Sequence, residues 1–149
     1  MSKNEWARYI VLLIFCIYFS KTDIREKRIA NKEVLAMAGI GLLLAFSSMN
    51  GAVLISCISG GAAGFLVSLF IACFSKGGIG MGDVKLLGAA GLYLGVAYLE
   101  IVVFWSLLFV ILFGLLQMLR KKATRKTQYP YAPFFTAGVL GALCMQVMV

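Results

Sequence analysis

Apolar runs separated by short polar or glycine-rich breaks organise the whole chain. They fall at residues 6–19, 34–48, 52–74, 84–98, 101–119 and 133–149. Runs of this length and uniformity predict helices, because strands rarely exceed about ten residues. At about 1.5 Å per residue the shorter runs reach only about 20–24 Å, against roughly 30 Å of bilayer hydrocarbon. Some must extend by a turn into their flanks or end against protein. The first run has Lys3 just ahead of it and Arg8 near its start, as a secretory signal would. It lacks a small-x-small cleavage site and five more runs follow, so it reads as a retained helix. The expected fold is all-α: one polytopic membrane domain over residues 1–149, a bundle of six transmembrane helices.

Composition sharpens this. The chain is 62% hydrophobic and 13% charged, where a soluble domain carries about 25% charged residues. Mean hydropathy is +0.95, too little polar surface to cover a globule in water. Basic residues set the orientation: 12 of the 14 Lys and Arg flank alternate connections. They cluster at residues 21–32, at Lys76 and Lys85, and at residues 120–126, while residues 49–51 and 99–100 carry none. Positive loops stay cytoplasmic, which places both termini outside. Topology and contact with anionic headgroups at the cytoplasmic face account for the +8 net charge without nucleic acid. Gly60, Gly64 and Ser68, and likewise Gly91 and Gly95, recur at every fourth position, a spacing that lets helix backbones approach closely in lipid. Four isolated cysteines (Cys16, Cys57, Cys73, Cys144) read as small buried hydrophobes.

The chain has no histidine. That excludes Ser–His and Cys–His nucleophiles and the H-E-x-x-H zinc site, and the residues present suggest neither a metal site nor a cofactor. Attention passes to the six acids, since an ionised Asp at the centre of a spanning helix costs about 2.5–3.5 kcal/mol. Glu5 and Glu100 sit at outer segment ends, where water suffices. Glu26 and Glu33 lie in a basic stretch, where charge pairing suffices. Asp83 closes Gly80-Met81-Gly82-Asp83; taken alone it reads as a helix N-cap. Asp23, in Thr22-Asp23-Ile24-Arg25, reads alone as a counter-charge to nearby bases. Topology, however, brings both to the same cytoplasmic membrane boundary. Two carboxyls that share a proton can split the work of hydrolysis. The ionised member takes a proton from water as it attacks a peptide carbonyl, and the protonated member donates toward the carbonyl oxygen and later assists the leaving amine. Gly80 and Gly82 leave room for a peptide backbone beside Asp83.

Three segments carry a family resemblance. Asp23-Ile24-Arg25-Glu26-Lys27-Arg28-Ile29-Ala30-Asn31 resembles the D-x(5)-I-P-N segment of type IV prepilin peptidases. Gly77-Gly78-Ile79-Gly80-Met81-Gly82-Asp83-Val84-Lys85-Leu86-Leu87 is similar to their second aspartate motif, and Tyr129-Pro130-Tyr131-Ala132-Pro133-Phe134 to their P-F-x-P-F stretch. The resemblance implies a membrane aspartic endopeptidase of a prokaryotic cytoplasmic (inner) membrane, its active site facing the cytoplasm. It would remove the basic leader of prepilins or pseudopilins, with Asp23 and Asp83 catalytic. It makes Gly80, Gly82, Lys85, Asn31, Pro130 and Pro133 candidates for shaping the substrate site. Lys85 reads equally as a snorkelling interfacial base, and the prolines as helix-start signals. Ala30 replaces the usual Pro and Tyr131 the commoner Phe. Larger family members carry a cytoplasmic region with paired C-x-x-C motifs linked to N-methylation. Residues 1–149 contain no such motif, so peptidase activity without methyl transfer is expected.

Other readings predict different behaviour. A small six-span channel or carrier using the same acids for an ion or proton predicts flux in liposomes and no leader cleavage. A presenilin-like protease shares G-x-G-D, but its Tyr-Asp and Pro-Ala-Leu contexts do not occur here. A non-enzymatic assembly factor would tolerate Asn at both acid positions. Nothing in the residues fixes the oligomeric state.

Overall fold

The computed structural model describes residues 3–26, 30–48, 50–74, 80–120 and 130–148. Every regular element among them is an α-helix: α1 Lys3–Glu26, α2 Asn31–Ser47, α3 Gly51–Phe74, α4 Met81–Leu119 and α5 Ala132–Met148. The Asn50 side chain opens α3 by accepting the Ala52 N–H at 3.0 Å, an ordinary cap for an orphan donor. Ala30 precedes α2 with φ −70° and ψ 130°. That φ is one a proline would also adopt, so the turn forms with alanine in the proline's place.

Five elements replace the expected six because the fourth and fifth runs join in α4. The break falls at Gly95, with φ 72° and ψ 175°, and not at residues 99–100, which are helical. The two arms of α4 fold back on each other there. A Cβ on Gly64 would lie 2.6 Å from the Leu87 carbonyl oxygen and 2.9 Å from the Leu99 side chain. Along a straight helix those residues would stand about 18 Å apart. Only glycine adopts a φ near +72° without strain.

Small residues bring α3 onto this hairpin. A Cβ on Gly60 would stand 2.6 Å from both the Gly91 carbonyl oxygen and the Gly95 carbonyl carbon. Ser68, one further turn along the predicted stripe from Gly64, is buried and bonds back to the Gly64 carbonyl. The main core lies between α1, α2, α4 and α5, where Leu12, Phe19, Met37, Tyr93, Val102 and Phe135 are essentially inaccessible.

The outside of the bundle is apolar. Leu35, Phe74 and Leu119 are 74%, 72% and 80% exposed, a surface that lipid solvates and water does not. By length and composition α3 and α4 are apolar enough to cross a membrane. Of the cysteines, Cys16 and Cys57 are buried as expected. Cys73 and Cys144 are exposed instead, because an apolar run in a membrane bundle has a lipid face as well as a core face.

Candidate active site

Asp23 lies in the last turn of α1 and is 8% exposed. Its Oδ2 accepts the backbone N–H of Ala132 at 3.1 Å, a donor that is free because α5 begins there and its first amides have no intrahelical partner. Below this contact α1 and α5 are stitched by hydroxyls. The Ser20 and Thr136 oxygens are 2.7 Å apart, and Thr136 also reaches the Cys16 carbonyl at 3.1 Å. This seam holds Asp23 in register with the start of α5.

Asp83 stands three residues into α4, half-buried. It is not the N-cap; Gly80 is. The Gly80 backbone N–H bonds the Asp83 carboxyl, so the acid reaches back to the cap as in a capping box. A Cβ on Gly80 would lie 3.2 Å from Asp83 Oδ2. Any special role of glycine here is close approach to the carboxyl, since its φ of −69° is ordinary. Gly82, in the same turn, is half-buried.

The two acids meet. Asp23 acts electrostatically on the Asp83 carboxyl, so residues far apart in the sequence share one end of the bundle. Tyr131, the residue before α5, joins them. Its side chain hydrogen-bonds Ser106 and feels the Asp83 charge. Ser106 lies in the returning arm of α4, so this contact too requires the fold-back at Gly95. Burial, with a smaller contribution from Asp83, pushes the Tyr131 phenol above its ordinary range, which keeps it a neutral O–H donor beside the carboxyls.

The other candidates divide. Lys85 Nζ donates to Asn31 Oδ1 at 2.8 Å. Two residues named for separate reasons therefore tie α4 to the start of α2, flanking the acids. Pro130 and Pro133, each half-buried, bracket Tyr131 and Ala132, and Pro133 occupies the first turn of α5, where a missing N–H costs nothing. Glu33 accepts the Tyr18 hydroxyl at 2.8 Å, a neutral partner in place of the expected basic one. Residues 27–29, 75–79 and 121–129 of the motifs and basic loops lie outside the described residues. Among the described residues no group of three metal-ligating side chains gathers.

Sequence reasoning passed over Ala132, Ser20, Thr136 and Ser106. Backbone donors carry no signature in a sequence, and hydroxyls inside apolar helices ordinarily bond back to their own helix. Tyr131 was visible only as a substitution within a motif.

The geometry can be set beside known proteins. The model of the type IV leader peptidase family matches residues 10–115. The prepilin leader peptidase/N-methyltransferase of Bacillus subtilis (strain 168) is 32% identical over 133 residues, covering 87% of this chain and 52% of that protein. The chain thus spans about half the length of that relative. No solved structure matches it. The family match covers the α1–α4 framework, the capped acid of α4 and the acid of α1, and the chain belongs to the type IV leader peptidase family.

Proposed function

We propose that the chain is a membrane aspartic endopeptidase that removes the leader of type IV prepilins or pseudopilins. The observation that carries this reading is the electrostatic influence of Asp23 on Asp83 at one end of the bundle. Close carboxyls favour a state with one shared proton. The ionised carboxyl then accepts a proton from the attacking water while the other donates its own to the peptide oxygen. On collapse the first passes its new proton to the leaving amine and the second recovers one from the intermediate's hydroxyl. Neutral Tyr131 offers a further donor near the same point. The membrane character of the surface and the family membership support a substrate whose scissile bond lies beside an apolar helix.

In this reading the two arms of α4 count as separate spans, giving a six-span bundle in a prokaryotic cytoplasmic membrane. The acids face the cytoplasm and both termini face outward, following the basic residues. Anionic headgroups, and exposed Glu26 beside the site, offset the basic loops when a basic leader approaches. The reading assigns residues 1–149 peptidase chemistry alone; methyl transfer from S-adenosylmethionine by the purified chain would reject that part.

The test is incubation of proteoliposomes containing the full chain with a prepilin. Asp23→Asn and Asp83→Asn should each lower cleavage by at least about a thousandfold, the loss typical of removing an essential acid or base. Both variants should insert and melt like the wild type. Processing by either variant rejects the paired-acid mechanism, and ion flux without cleavage by the wild type would favour a channel.

A further inference from the structure

At the end of the bundle away from the acids lies a buried cation, one of whose nitrogens has no hydrogen-bond partner. Arg8 is only 6% exposed. Its Nη1 donates to Cys57 Sγ at 2.7 Å, and a thiol sulfur is a weak acceptor. Its Nε is buried with no hydrogen-bond partner. A guanidinium keeps its charge at any cellular pH, and a buried charge is costly unless hydrogen-bonded acceptors surround it.

Beside Arg8 lies a cavity of about 120 Å³, bordered by Glu5, Ser56, Cys57, Tyr93, Ala97 and Tyr98 among others. A single water needs roughly 10–15 Å³ on such a measure, so there is room for several waters or for one tetrahedral oxyanion. The fold explains the space. α1 leans on α5 at the acid end, whereas here it faces α3 and the elbow of α4. Gly95 interrupts the helix at that elbow, and Tyr98 just past it meets Tyr9 edge-on at 6.0 Å. At its border Tyr98 is 39% exposed and Ser56 and Ala97 are exposed too, so the cavity opens to the lipid-facing outside of the bundle.

We infer that this cavity binds the phosphate diester of an anionic phospholipid, held by the Arg8 fork with the Ser56 and Tyr98 hydroxyls as further donors. Arginine is suited to this role because its parallel N–H groups match two phosphate oxygens. Glu5 at the border lowers the local positive potential. That favours a singly charged diester over the doubly charged form of free phosphate. The bound headgroup braces α1, which carries Asp23, against α3 and the start of the returning arm of α4. The site itself does not depend on the peptidase reading.

The experiment uses the full chain purified in detergent. It is titrated separately with dioleoylphosphatidylglycerol, with dioleoylglycerol as a phosphate-free control, and with inorganic phosphate, and read by native mass spectrometry and thermal unfolding. The wild type should retain one more phosphatidylglycerol than Arg8→Gln. Affinity at that site should drop about tenfold or more in the variant, as for loss of a charge-assisted hydrogen bond. Dioleoylglycerol should neither stabilise nor be retained. Ala97→Phe fills the cavity with Arg8 intact and should lose the same lipid, which covers the case in which Arg8→Gln fails to fold. Asp83→Asn should keep it. Basic residues at the other end bind lipid equally in all these proteins, so the difference isolates the Arg8 site. An Arg8-dependent rise in Tm with inorganic phosphate would keep the oxyanion site and make free phosphate its source. Equal lipid retention by the wild type, Arg8→Gln and Ala97→Phe would overturn the inference.

Discussion

Gly91→Ala is the substitution whose effect the packing fixes most tightly. Gly91 lies where α4 crosses α3, and a Cβ there would run into the Gly60 carbonyl group and reach Gly61 N at 2.7 Å. Those neighbours are backbone atoms and have no rotamer to yield. Restoring an ordinary contact of about 3.5–4.0 Å requires the helices to part by about 1 Å. Overpacking of this kind costs about 1–3 kcal/mol, and in lipid the packing it disturbs is itself a main force holding helices together. Melting of the purified chain in detergent should fall by several degrees, on the order of 2–4 °C per kcal/mol. Gly114→Ala is the control: nothing lies within 4 Å of the added Cβ, and alanine is the better helix former by up to about 1 kcal/mol. The same separation shifts the arm that bears Asp83. Misplacement of a catalytic group by 1 Å costs on the order of a hundredfold in rate, so prepilin cleavage should fall well beyond the loss of folded protein. Equal melting temperatures for Gly91→Ala and Gly114→Ala would refute the packing account. A destabilised Gly91→Ala that cleaves at the wild-type rate would break the link from packing to site.

Three further substitutions separate stability from chemistry. Tyr93→Phe removes a buried bond to the Met37 carbonyl, 2.6 Å long, and should cost about 1–3 kcal/mol in thermal unfolding while leaving kcat nearly unchanged; a large drop in kcat would contradict its placement away from the acids. Thr136→Val loosens the seam between α1 and α5 beneath Asp23, with a stability loss of about 1 kcal/mol, and should lower kcat severalfold with little change in KM. Tyr131→Phe tests the buried phenol through pH. Unfolded tyrosine releases its proton near pH 10, whereas folded Tyr131 holds it to higher pH. The folded state therefore loses its advantage as pH rises above about 10. Melting temperature against pH should fall less steeply for the variant than for the wild type between about pH 10 and 12, and parallel curves would remove Tyr131 from the buried site.

The helices were legible in the sequence, and the two candidate acids stood out in it, for the same reason: in an apolar chain, departures from apolarity are few. Most helix ends fall within about three residues of the runs, although α1 continues seven residues past its run to Glu26 and two runs share α4. Asp23 and Asp83 stood out because the other four acids had plain reasons to be where they are. The misplaced boundary at residues 99–100 shows where that logic stops. Glu100 attracts a helix end on grounds of charge, but it is exposed on the helix surface and requires none. The chain turns at Gly95 because one residue there has φ 72°, and Gly88, Gly91 and Gly95 look alike until α3 is laid against them. Arg8 illustrates the same limit for charge. A base near the start of an apolar run reads as an interfacial anchor, and only the approach of Cys57 on α3 and of the α4 elbow turns it into a buried one. The patterned part of the fold can therefore be read along the chain. Arg8 in its cavity, like the Ala132 amide on Asp23, arises from pairings between helices and leaves no periodic trace.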